Sequence, residues 1–160
     1  MNTKNNSTSK ILTLLLAAVT LTVAVYPAQA GDQVPFRGRA EGEIVSVSPD
    51  PAGFVFTVLA NGNATHLGRF SRREVVLFNP LTGTLTGNIV FTAANGDRLV
   101  GTVAGGFISP TTAKGAYTFT GGTGRFASAS GRADFVLSTP DGIHFGVDFN
   151  GTLSSVGSNK

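Results

Sequence analysis

The side chains that could do acid–base chemistry are few, and three of them lie together in the segment HLGRFSRRE. This segment holds His66, Arg72 and Glu74. A histidine and a carboxylate can transfer protons, and an arginine can stabilise a developing negative charge. Arg72 and Glu74 alternate with Phe70 and Val76, so in a strand they would share the apolar face. This predicts either a bulge or a charged pair at the rim of a barrel, with Arg72, Glu74 and His66 as candidate catalytic residues.

The second histidine and the absence of cysteine narrow the chemistry further. In an extended strand His144 and Asp148 would lie about 13 Å apart on the polar face, too far for a direct pair, and we expect both to be exposed. No cysteine is present, which excludes a thiolate metal site, a cysteine nucleophile and a disulfide. Two histidines without suitably spaced carboxylates predict no metal, and no motif predicts a cofactor.

A glycine-rich segment, TFTGGTGRFASASG at residues 118–131, could be a phosphate-binding loop or a tight turn. A dinucleotide site needs a helix directly after the glycines, with its N-terminus facing the phosphate. Here another glycine and a strand-like run follow within a few residues. A P-loop would need Lys followed by Ser or Thr, and neither follows the glycines. The segment therefore predicts a strand–turn–strand junction without a nucleotide.

The first thirty residues have the three parts of a secretory signal peptide. Lys4 and Lys10 make the start basic, residues 11–25 are apolar residues and Thr, and Ala28 and Ala30 form an A-x-A exit. A membrane anchor is the alternative, but this run is shorter than the roughly 20 residues that span a bilayer. We expect a signal-peptide helix at 1–30, cleavage after Ala30, and a single secreted or periplasmic domain at 31–160 that does not span a membrane.

Loss of this segment would leave the charge almost balanced. The formal net charge of +3 includes Lys4 and Lys10, and all nine acidic residues lie beyond residue 30. A domain near neutrality lacks the basic surface that nucleic-acid binding needs. We therefore expect no nucleic-acid partner.

Alternation of apolar and polar residues runs through the domain and is typical of β-strands. In FRGRAEGEI, Phe36, Ala40 and Ile44 fall on one face and charged residues on the other. Similar runs are separated by turn-forming clusters such as SPDPAG, NPLTG, AANGD and STPDG. The pattern predicts an all-β fold, a single antiparallel β-barrel of about eight strands, because closure lets the strands share one core and removes sheet edges.

Several glycines fall on the same face as the phenylalanines. Phenylalanine rings of one strand could fill the space beside glycines of the next, or the glycines could leave a cavity. If a cavity exists, the inward aromatic residues are its expected ligand-binding side chains: Phe54, Phe56, Phe91, Phe119 and Phe145.

The segment GGTGRFASASG resembles the GGTG-x-F-x-x-A-x-G pattern of dirigent proteins and allene oxide cyclases. Phe126, Ala129 and Gly131 fall on its later fixed positions. The resemblance implies a calycin-type, eight-stranded antiparallel barrel that takes small lipophilic ligands, and it implies a homotrimer. As a turn, the segment is expected to place Phe126 in the end of the barrel. The acidic and basic pocket residues and the disulfide of plant dirigents have no clear match here.

Three functions follow as expectations. The first is an exported β-barrel that binds a small lipophilic molecule in or at the mouth of the barrel, without catalysis. The second is an isomerase or cyclase of the allene oxide cyclase type, with rim residues such as Arg72 and Glu74. The third is a structural extracellular protein with a filled core. Lipocalin-like and streptavidin-like barrels are disfavoured by the absence of Trp, and an outer-membrane barrel by the lack of aromatic girdles.

Overall fold

The computed structural model describes residues 32–154, and these form one closed antiparallel barrel. Its strands pair in chain order, and the first also pairs with the last, which confirms the predicted eight-stranded all-β fold. The signal-peptide helix predicted at 1–30 lies outside the described residues. No helix within residues 32–154 has the length and apolar character to cross a membrane. The strands are β1 (Gln33–Asp50), β2 (Gly53–Ala64), β3 (Gly68–Asn79), β4 (Thr84–Ala93), β5 (Arg98–Ser109), β6 (Thr112–Gly122), β7 (Gly131–Ser138) and β8 (His144–Ser154).

The up-and-down order gives the barrel two distinct ends. The connections at residues 51–52, 80–83, 110–111 and 139–143 lie at one end, here called the cup end. The connections at residues 65–67, 94–97 and 123–130 lie at the other, here called the plugged end. Strand β1 begins and strand β8 ends at the plugged end. Because the two ends are built from different connections, they can have different functions.

Phenylalanine rings fill the half of the barrel toward the plugged end. Phe36 packs edge-on against Phe91 and Phe119, with ring centroids 6.3 and 5.1 Å apart, and it also packs against Phe149 at 5.4 Å. Gly38 lies directly beside Phe149, and a Cβ there would collide with the ring. At Gly38, therefore, a phenylalanine ring fills the space beside the glycine, which is one of the two alternatives that the sequence left open.

The glycine-rich segment forms the main part of the plug. After β6, a single 3₁₀ turn (Gly124–Phe126) returns the chain to β7, and the Phe126 side chain is fully buried in the core. Gly124 has φ +56°, and a Cβ there would also collide with the carboxylate of Asp97. Thr123 and Arg98 join this turn to β5 through two hydrogen bonds, of 2.8 and 3.0 Å. The predicted strand–turn–strand junction is thus confirmed, as is the position of Phe126.

Candidate functional site

A cavity of about 70 Å³ lies inside the barrel at the cup end. We call it the cup. Its wall is apolar apart from a carboxyl group and a hydroxyl group, those of Glu74 and Thr139. The other lining residues are Ile44, Phe56, Val58, Val76, Leu85, Phe107, Leu137, Gly142, Ile143 and Phe145. Larger concavities on the outer wall, such as one of about 540 Å³ over β6 to β8, are open surface features.

Glu74 belongs to a buried polar group formed with Arg72 and Tyr117. The Arg72 Nε lies 3.1 Å from the Glu74 Oε1, and the Arg72 Nη1 donates a 2.9 Å hydrogen bond to the Tyr117 hydroxyl. Arg72 and Glu74 are only 2% and 7% exposed. Strand β3 pairs with β2 and β4 in unbroken register, so both side chains point inward without a bulge. The charged pair is therefore the correct alternative, and it is buried within the barrel.

Burial sets the protonation behaviour of this group. Loss of water around the Glu74 carboxyl raises its pKa above 4.5, and the Arg72 guanidinium opposes that rise. Burial also raises the pKa of Tyr117 well above its ordinary value, so its hydroxyl stays neutral. The guanidinium carbon lies 5.6 Å from the Tyr117 ring centroid and 5.5 Å from that of Phe145, in range of cation–π attraction. Arg72 is thus held by a carboxyl group, a hydroxyl group and two ring faces.

Stability does not by itself explain these charges inside an otherwise apolar barrel. Among residues 32–154, neither the Nη2 nor the Nε of Arg72 donates a hydrogen bond, although the Nε lies 3.1 Å from the Glu74 Oε1. Replacing a buried ion pair by well-packed apolar side chains is often neutral or stabilising. A binding or catalytic role would account for a carboxyl group that reaches the wall of the cup.

The structure divides the sequence-predicted site residues between the two ends. Phe56 and Phe145 line the cup, and Phe54 lies at its rim with 41% of its surface exposed. Phe91 and Phe119 pack in the filled half and are not among the residues that line the cup. The alternation that placed all five on one face carried no information about their height in the barrel.

His66 lies away from the other two catalytic candidates. It occupies the turn between β2 and β3 at the plugged end, where its backbone φ is +64°. Glu74 faces the cup instead, so the structure brings Arg72 and Glu74 together and leaves His66 apart. No cluster of three or more His, Asp or Glu side chains within residues 32–154 is arranged to hold a metal ion.

Tyr117 is one of the candidate-site residues that the sequence analysis did not single out. It alternates with Phe119 on the inward face of β6, and a tyrosine hydroxyl at a buried position needs a polar partner. That signal, set beside the inward Arg72, could have suggested the pair. The contributions of Phe107, Thr139 and Ile143 had no comparable signal, because they depend on how strand ends and a loop fold over the opening.

A short loop at residues 139–143, here called the strap, forms one wall of the cup. The Ile44 backbone N–H donates a 3.0 Å hydrogen bond to the carbonyl of Ile143, and the Thr139 N–H donates one to the carbonyl of Thr111. The Asp141 carboxylate accepts hydrogen bonds from the backbone N–H groups of Ile143 and His144. The strap is thus tied to β1, to the β5–β6 connection and to the start of β8.

The His144 ring completes the strap's contacts on the outer surface. The His144 Nδ1 lies 2.7 Å from the Asp141 Oδ2, and the Nε2 lies 3.8 Å from the Glu43 Oε2. The hydrogen bond from His144 is the main cause that lowers the pKa of Asp141 to about 2. In turn Asp141 raises the pKa of His144 above 6.5. His144 is exposed, as the sequence predicted, and its carboxylate partner is Asp141.

The fold is that of a small, closed, eight-stranded antiparallel β-barrel. A solved structure, that of the pterocarpan synthase dirigent protein GePTS1, matches this chain with a TM-score of 0.59 and 14% sequence identity. The match covers 84% of this chain and 94% of that one. At this identity the likeness shows the fold alone. No family model matches the sequence, and no curated protein matches it.

Proposed function

We propose that this protein is an exported, dirigent-like barrel that binds a small apolar molecule in the cup. The observation that carries the proposal is the asymmetry of the interior. Phenylalanine rings fill one half, whereas the other half keeps a cavity whose apolar wall includes a single carboxyl group, that of Glu74. Pockets for small molecules combine an apolar lining with a few placed polar groups in this way.

The size of the cup sets how a ligand would bind. An apolar cavity of about 150 Å³ can hold benzene, and the cup has about half that volume. We therefore expect only one end of the ligand, such as a branched alkyl group or the edge of a ring, to enter beside Phe56 and Phe145. The rest would lie between the rim residues, and the Glu74 carboxyl would make the polar contact.

Glu74 favours a second candidate function, that of an isomerase or cyclase. Burial raises the pKa of the Glu74 carboxyl, and a carboxyl group shifted in this direction is a candidate proton donor and acceptor for acid–base catalysis. Arg72 would stabilise the carboxylate once the proton has left, because its Nε lies 3.1 Å away. The third function, a structural barrel with a filled core, is supported by the packed half alone.

The test of binding uses a neutral apolar dye, N-phenyl-1-naphthylamine, and two matched variants. Val76 lines the cup, and its neighbour Val75 faces outward with 37% of its surface exposed. Val76→Phe should fill the cup and weaken dye binding at least tenfold, whereas Val75→Phe should leave it unchanged. Equal binding by both variants, or no binding by the parent protein, would reject a ligand site in the cup.

Mass spectrometry of the protein purified from the exported fraction should then reveal a co-purified apolar compound. Conversion of that compound by the parent protein, with loss of conversion in Glu74→Gln and retained binding, would favour the enzyme over the binding protein. Retained conversion in Glu74→Gln would remove Glu74 from catalysis.

Export and assembly belong to the same proposal. The signal-like segment at residues 1–30 supports secretion or periplasmic export, and the family resemblance supports a homotrimer. Sequencing the N-terminus of the exported protein should find Gly31. Light scattering should give three times the mass of one chain, and a monomer would reject the trimer.

A further inference from the structure

Five exposed apolar side chains surround the opening of the cup. Two of them come from the β1–β2 hairpin, two from the connections that follow β3 and β7, and one from the end of β5. Leu81 is the most prominent, with 94% of its surface exposed, and Ile108 follows with 62%. We call this set the crown: Val47, Phe54, Leu81, Ile108 and Ile143.

Proline makes the supports of the crown stiff. Each connection at the cup end contains or adjoins an exposed proline: Pro49, Pro51, Pro80, Pro110 and Pro140. The plugged-end connections at 65–67, 94–97 and 123–130 contain none. Since proline fixes φ, the crown side chains are held out from the barrel with little backbone freedom to lose when they become buried.

Among the described residues, the plugged end has no comparable group of exposed apolar side chains. There Leu67, Phe126 and Ala129 are buried, and the exposed positions include Thr65, Asn95 and other polar or small residues. None of the large apolar side chains found exposed within residues 32–154 comes from a plugged-end connection. A group of such residues around one opening marks an interaction surface rather than scattered exposure.

We infer that the crown inserts into the surface of an uncharged or zwitterionic lipid phase, so that the cup opens toward lipid. The cup-end connections carry one charged residue, Asp141, and no lysine or arginine. Asp50 and His144 lie next to them, and His144 is paired with Asp141. Such a rim has no attraction for anionic headgroups. Insertion would therefore depend on burial of apolar side chains alone.

The form of the crown favours lipid over a second protein. Its side chains stand on separate connections around an opening, whereas a protein interface has a continuous apolar centre that packs against its partner. A fluid lipid surface can fill the space between Leu81, Ile108 and Ile143 without a matched shape. The apolar wall of the cup continues into this rim through Ile143, which belongs to both.

The test measures co-flotation of residues 31–160 with phosphatidylcholine vesicles. The whole barrel core lies within residues 33–154, so this chain should fold without the signal-like segment, which would bind vesicles by itself. Leu81→Gln with Ile108→Thr should weaken vesicle binding about tenfold or more, because it removes two exposed apolar side chains from the crown. Neither residue lines the cup or belongs to the core, so the cup and the fold should stay intact. The matched control, Val75→Thr with Val136→Thr, removes exposed apolar surface from the barrel wall and should have no effect.

The orientation can be read directly because the chain contains no tryptophan. Leu81→Trp should show a blue-shifted emission with vesicles and quenching by brominated phosphatidylcholine. Ser128→Trp, at the exposed tip of the plugged end, should show neither. Both readouts are independent of whether a ligand occupies the cup, so they separate this inference from the proposed function.

Several results would overturn the inference. These are absence of vesicle binding, equal quenching at positions 81 and 128, and binding that appears only with anionic lipid. Self-association of the protein through the crown would also overturn it. In that case Leu81→Trp emission would shift with protein concentration in the absence of vesicles, and the Leu81→Gln and Ile108→Thr variant would dissociate to smaller particles.

Discussion

Arg72 and Glu74 stand two residues apart on β3 and pair inside the barrel, with the Arg72 Nε 3.1 Å from the Glu74 Oε1. Their neighbours on the same inward face, Phe70 and Val76, are apolar and buried. The barrel thus holds one ion pair between the phenylalanine-filled half and the cup, and several properties of the protein should depend on it.

The first prediction concerns the stability of this pair. Arg72→Met leaves Glu74 buried without its cation, so the free energy of unfolding at pH 7 should fall by about 3 kcal/mol. Arg72→Met combined with Glu74→Leu removes both charges and should recover most of that loss. Urea unfolding of the parent and of the single and double variants measures the coupling. Simple addition of the two single effects would show that the residues do not act as a pair.

The second prediction is a pH dependence due to Glu74. Its pKa is higher in the folded protein than the ordinary value of 4.5, so between these two pKa values the folded state holds a proton that the unfolded state has lost. The free energy of unfolding should therefore decline as pH rises above 4.5 toward the folded pKa. Glu74→Gln cannot titrate and should lack this contribution to the decline. The same slope in both proteins would contradict the assignment.

The third prediction concerns the strap. Because Asp141 raises the pKa of His144, protonation of His144 stabilises the folded state below pH 6.5, and this contribution is lost as pH rises through the folded pKa. Asp141→Asn should return the His144 pKa toward 6.5, as measured by NMR titration of the ring protons. It should also speed amide exchange at Ile143 and His144, whose N–H groups bond to Asp141. An unchanged His144 titration would show that the hydrogen bond does not persist in solution.

The fourth prediction compares two glycines. Gly124→Ala should lower the free energy of unfolding by about 1–3 kcal/mol, because Gly124 has φ +56° and a Cβ there would collide with Asp97. Gly146 has open space around the position of a Cβ, so Gly146→Ala should be neutral or slightly stabilising. Equal melting temperatures for the two variants would contradict the strain assigned to the plug.

Part of the site was predictable from local pattern. Alternation with Phe70 and Val76 placed Arg72 and Glu74 on the inward face, and an unbroken β3 keeps them there. The position of the pair along the barrel axis was not predictable, nor was its contact with Tyr117, which lies 45 residues away in sequence. Such contacts depend on which strands face each other across the barrel.

Four of the predicted ligand-binding phenylalanines show the same limit. Phe56 and Phe145 border the cup, while Phe91 and Phe119 pack with Phe36 in the filled half, although all four follow the same alternation. Period-two patterning specifies the face of a strand and says nothing of the height at which rings from distant strands meet.

The all-β class, the strand–turn–strand plug and the inward direction of the charged pair could be predicted from the amino-acid sequence, because they follow from local periodicity and from glycine conformations. Local pattern could not show that one half of the barrel is filled while the other keeps a cup, or that five exposed apolar side chains surround the opening of the cup. Closure of the barrel sets these features, since it fixes the radial packing of residues that are far apart in the chain.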